Sequence, residues 1–140
     1  MSLAFAPTQK AILDRVRGDI DVTSLLNKAD KQSGIYDYVS ESTPYPYIVV
    51  GEPSIDPLGI KNSEVVDLMI TLHIWSNYKG NSEAYKILSA VHESFKYKLN
   101  ISSYKTVKTS YRDAKVLPDI DGVHRHGVFT LLLTLEKERA

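Results

Sequence analysis

The residues able to do chemistry are few. Four histidines stand at positions 73, 92, 124 and 126, and the 140 residues include no cysteine. Thiol catalysis, disulfides and thiolate zinc sites are therefore excluded. His124 and His126 are two apart, so an extended chain turns both to one side, and such an imidazole pair can hold zinc or copper. A working site needs a third ligand, which the fold would have to deliver from His73, His92, Asp119 or Asp121. The plainer reading places the pair at the exposed start of a strand beside Arg125, and we prefer it. His73 shares parity with Thr71 and Trp75 and reads as a half-exposed interface residue, whereas His92 falls on the polar side of a helix. The sequence has no G-x-S-x-G elbow, Gly-rich phosphate loop, H-E-x-x-H pair or acidic calcium loop. Asp119 and Asp121, between Pro118 and Gly122, read as turn residues rather than as a catalytic carboxylate pair. Nine tyrosines could stack bases, but no basic stripe accompanies them, so burial at a rim or interface is expected. We expect no catalytic site and no cofactor.

The elements that must position these side chains centre on Glu64 to Leu99. Val66, Leu68, Ile70, Leu72 and Ile74 alternate with Asp67, Met69, Thr71, His73 and Trp75, which predicts a half-buried strand. A polar turn follows, and then Ala84, Ile87, Leu88, Val91 and Phe95 at the spacing of one helical stripe. Asn81 or Ser82 is positioned to cap that helix, and Glu83 suits its positive end. Upstream, Pro7 opens a helix with Ile12, Leu13 and Val16 on one side, and Asp21 caps a short second helix. Ile35–Val39 and Pro46–Glu52 read as strands. Pro53 to Ser63, with two prolines and a glycine, reads as a long hairpin loop that orders against a partner. Tyr104 to Val116 alternates weakly, with Val107 and Tyr111 on one parity, as a strand that is solvated or faces a neighbouring subunit. The last strand, Val123 to Glu136, sets Phe129, Leu131, Leu133 and Leu135 on one face. Together these predict a single α+β domain over residues 1–140. Its sheet is mostly antiparallel, with an N-terminal helix and one long amphipathic helix packed on one face.

Seventeen basic residues balance seventeen acidic ones. Zero net charge argues against a sequence-specific nucleic-acid binder or an anionic-membrane binder, and it gives little protection against self-association. The start lacks a basic segment followed by a long apolar run, and Leu131-Leu132-Leu133 is far short of the ~20 residues of a membrane helix. We expect a protein of the cell interior.

The order of these blocks carries a resemblance. Ile35-Tyr36-Asp37, Tyr45-Pro46-Tyr47-Ile48-Val49-Val50-Gly51-Glu52, the strand Asp67 to Ser76 with its Tyr78-Lys79-Gly80-Asn81 turn and Glu83-Ala84, and Asp121-Gly122-Val123-His124-Arg125-His126-Gly127-Val128 follow one another. In that order they resemble the tail terminator, or tail completion, proteins of long-tailed bacteriophages and prophages. The resemblance implies a structural protein that forms a ring, usually of six copies, on the last ring of the tail tube. It implies the major tail tube protein and a head-side connector or stopper as partners. The place of such a protein is the virion tail, assembled in the cytoplasm of the bacterial host. From loop composition, Ser54, Ile55, Asp56, Pro57, Leu58, Ile60 and Lys61 are candidates for the tube or connector contact. Met69, His73, Trp75 and Tyr111 are candidates for contact between copies. The rivals are another virion connector or tube subunit, and a small metal-dependent enzyme built on His124 and His126.

Overall fold

The alternation at Val66 to Ile74 organises the chain as its period demands. In the computed structural model, which describes residues 3–27, 34–40, 42–59 and 63–138, Leu68, Ile70, Leu72 and Ile74 are all buried. The elements run α1 (Phe5–Arg17), α2 (Ile20–Thr23), β1 (Ile35–Tyr36), β2 (Tyr47–Pro57), β3 (Val65–Ser76), α3 (Ser82–Ser94), β4 (Tyr104–Pro118) and β5 (Arg125–Lys137). This is the order expected from the sequence, and the class is α+β. The five strands form one sheet in the order β1-β2-β3-β5-β4. All pairs are antiparallel except β1 with β2, which are parallel, so the sheet is mixed. Among the described residues no helix is long and apolar enough to cross a membrane.

The aliphatic face of β3 joins that of β5 in one buried cluster. Phe129, Leu131, Leu133 and Leu135 lie beside Leu68 to Ile74, and α1 and α3 close over them with Ile12, Val16, Ile87, Leu88 and Val91. Arg15 of α1 ties the two helices together. Its guanidinium donates to the carbonyls of Ser94 (2.7 Å), Tyr97 (3.2 Å) and Lys98 (2.8 Å). These carbonyls lie at and beyond the C-terminal end of α3, where helical acceptors lack partners and a cation is favoured.

The structure corrects several local expectations. Asp19, not Asp21, caps α2, accepting from the backbone N–H of Asp21. Asn81 occupies the cap position of α3 without bonding the helix backbone through its side chain. Its amide instead accepts from Arg125 Nε at 2.8 Å and donates to the Tyr85 hydroxyl at 3.3 Å. The strand expected over Ile35–Val39 is only two residues long. The loop expected over Pro53 to Ser63 is largely strand. Beyond an irregularity between Gly51 and Ser54, β2 resumes pairing, with Ser54, Ile55, Asp56 and Pro57 opposite Met69, Leu68, Asp67 and Val66.

Leu88→Asp places a carboxylate in the helix-on-sheet core, at a cost of several kcal/mol against a total stability of ~5–15 kcal/mol. The variant should lose its near-native circular dichroism. Arg15→Met should fold but lose on the order of 1–3 kcal/mol in urea unfolding, since it removes charge-assisted bonds to three carbonyls.

Candidate functional site

With the aliphatic face covered, the second face of the sheet is the surface left to work with. On β3 it carries Asp67, Met69, Thr71, His73 and Trp75, all half-buried. Their neighbours in register on β5 are Thr134, Leu132, Thr130, Val128 and His126. Outside β5, the edge strand β4 brings Leu117 opposite His126, Lys115 opposite Val128 and Asp113 opposite Thr130.

A chain of aromatic and titratable groups crosses this face. The Glu52 carboxylate accepts from His73 Nε2 at 2.5 Å, and His73 Nδ1 lies 2.6 Å from His126 Nε2. Which of the two facing ring nitrogens donates is set by the tautomers of the pair. The His126 ring stacks on Trp75 at 4.1 Å and 9°, and on His73 at 4.8 Å. Burial and the neighbouring His73 push the His126 pKa below its ordinary value, with Lys115 adding to the effect and Asp119 and Glu52 opposing it. Glu52 reaches this chain because it sits in the β2 irregularity with φ +42°, which turns its side chain out of the strand's alternation.

His124 and His126 do not form one site. His124 precedes β5 and bonds Asp121 through Nδ1, while its ring stacks on Tyr45 at 4.8 Å. Asp119, Asp121 and His124 bring ligand atoms within 4.8 Å of one another. However, Asp121 is already engaged. It accepts the backbone N–H of Val123 (2.9 Å) and of His124 (3.0 Å) as well as the imidazole. These bonds hold its carboxyl down to about 2. The trio works as the framework of a turn.

Of the other candidates, Met69, His73 and Trp75 lie together on the open face, with Arg112 Nη1 3.4 Å from the Met69 sulfur. Tyr111 is on the opposite side, half-exposed over Phe129 (5.4 Å between rings) and edge-on to His92 (5.0 Å). His92, read as a polar-side residue of its helix, is partly exposed and borders a cleft. Ile55 packs partly against the core, while Ser54, Asp56, Pro57 and Leu58 are exposed. Ile60 and Lys61 lie outside the described residues. The sequence reading missed Glu52 and the pairing of His73 with His126.

The architecture is a mixed sheet with helices on one side and a second face that carries half-buried aromatic and polar side chains. The model of the family described as Tail completion protein gp17 matches residues 10–136, and the chain belongs to that family. It is a structural protein of phage tail completion. The tail completion protein gp17 of Bacillus phage SPP1 is 29% identical over 134 residues, covering 95% of each chain. The solved structure of bacteriophage SPP1 gp17 protein superposes with a TM-score of 0.61 at 25% identity over 100% of both chains. A chain from the virion of a native gene transfer agent particle shares the fold, with a TM-score of 0.84 at 16% identity over 97% of this chain and 99% of that one.

The direction of the His126 shift sets a pH dependence. Between its ordinary pKa near 6.5 and the lower folded value, the unfolded chain binds the proton and the folded chain does not. His126 therefore contributes a loss of stability as pH falls through that window. Thermal midpoints between pH 7.5 and 5 should fall more steeply for the wild type than for His126→Phe.

Proposed function

We propose that copies of this chain close into a ring, of six subunits by the family resemblance, on the last ring of the tail tube. The ring ends polymerisation of the major tail tube protein and offers its other side to the head-side connector. The protein resides in the virion tail, after assembly in the host cytoplasm. Membership of the tail completion family supplies the role. The observation that carries the ring is the second face of the sheet, where Met69, His73 and Trp75 stand half-buried with all three described helices on the far side. Aromatic and methionine side chains of that kind gather at protein interfaces, and a head-to-tail contact closes when its rotation divides a full turn.

The two ends of the sheet suit two partners. Pro57 and Leu58, beside Val66 and Val65, lie at one end of the β2–β3 pair, and the turn from Pro118 to Arg125 lies at the opposite end of the sheet. We assign the first end, with Ser54, Asp56, Pro57 and Leu58, to the tube or connector contact.

Electron microscopy of the purified protein, alone and with tail tubes, should show rings and capped tubes. Long tubes of the protein itself would instead make it a tube subunit. Trp75→Asp should give a folded monomer, with native circular dichroism but no ring by sedimentation. A ring at wild-type protein concentration would remove Trp75 from the contact.

A further inference from the structure

The turn between β4 and β5 is built to hold apolar side chains away from the protein. Its polar groups are satisfied internally. The Asp119 N–H donates to the His124 carbonyl and the Gly122 N–H to the Asp119 carbonyl, both at 2.9 Å. Asp121 takes two further backbone N–H groups and the His124 imidazole. Arg125 donates to the carbonyls of Gly122 (3.1 Å) and Val123 (3.3 Å) while anchored on Asn81. Gly122 supplies the left-handed residue at φ +71°. On this frame Leu117, Ile120 and Val123 are 44%, 103% and 55% exposed. A rigid turn that fully presents a branched aliphatic side chain loses little entropy when that side chain is buried elsewhere.

The same chain contains a cleft of complementary character. Between α3 and β4, Phe95, Phe129, Leu131 and Tyr111 line an opening of about 290 Å³, with His92 and Lys96 among its walls. An apolar cavity of about 150 Å³ already accepts benzene, so the side chain of isoleucine fits. Lys96, which also pairs with Glu93 at 2.9 Å, brings a positive charge to the rim. Asp119 and Asp121 flank Ile120 with negative charge. The turn cannot reach its own cleft, because Tyr111 and Pro118 are seven positions apart on an extended strand, roughly 20 Å.

We propose that the β4–β5 turn of one copy seats Ile120 in the cleft between α3 and β4 of the next copy. Donor and acceptor are different parts of the surface, so the contact is head-to-tail and each copy can both give and receive, as a ring requires. This rests on the ring reading above and names one of its contacts.

The cysteine-free chain permits a direct test. Ile120→Cys and Thr109→Cys, the latter at the cleft wall, are oxidised each alone and as a mixture of the reduced proteins, with and without tail tubes, under conditions where the wild type forms rings. The mixture should yield a disulfide-linked dimer that neither variant yields alone. Ile120→Asp, at a fully exposed position, should keep its circular dichroism and lose the ring. Lys96→Glu should weaken association at least tenfold, and adding Asp119→Lys should restore it. Rings without the mixed cross-link, or rings of Ile120→Asp at wild-type concentration, overturn the contact and leave the ring reading standing. Rings of Ile120→Asp that no longer cap tubes would assign the turn to the tube protein instead, which also overturns it. Absence of self-association under every condition defeats both readings.

Discussion

The constraint on which the rest depends is the two-residue period of β3. The strand pairs with β5 along its whole length and with β2 along most of it, so its register is fixed from both sides. A slip of one residue would turn Leu68, Ile70, Leu72 and Ile74 outward and bring Asp67 and His73 beneath the helices. The helices can therefore cover only one face. The other face is left without helices and carries a row of half-buried polar and aromatic groups. Fold and function are linked through this single alternation.

Strong periodicity was legible in the sequence. β3, β5, α1 and α3 declare themselves because each repeats one pattern over many residues without interruption. Where the pattern breaks, reading by parity fails. Pro53 and Pro57 read as loop residues, yet β2 runs through Pro53 and ends only at Pro57. Pro53 falls in the irregularity between Gly51 and Ser54, where no ladder partner is assigned. Beyond Val49 the outer edge of β2 also has no register partner in β1, so a missing N–H there costs little. In β4, register shifts between Thr106 and Lys108 and between Tyr111 and Asp113 insert Val107 and Arg112 as extra residues. Val107 and Tyr111 share odd numbering, but a bulge residue has no fixed side, so parity could not place Tyr111 over Phe129.

The connected side chains on the open face were legible only in part. His73 and Trp75 could be assigned to one face from their numbers. That His126 stacks between them required the diagonal offset of an antiparallel pair, in which Trp75 is opposite His126 and His73 opposite Val128. Fifty-three positions separate the two histidines, and no local pattern brings them together. Glu52 was less accessible still, because only a left-handed backbone turn delivers its carboxylate to His73. The proximity of His124 and His126 in sequence suggested a shared metal. The end of the strand falls between them, so each histidine is held by a different neighbourhood.

The two bulges of β4 have a consequence for the protein before it is used. An edge strand of fifteen residues is long enough to template cross-β stacking, and a nearly neutral molecule has little repulsion to oppose it. Each inserted residue bends and twists the strand and interrupts its row of donors and acceptors. An incoming strand can zip along only a few residues before losing register. The bulged edge thereby disfavours fibrous precipitation of free copies, while side-chain contacts on the surfaces away from that edge are untouched by it.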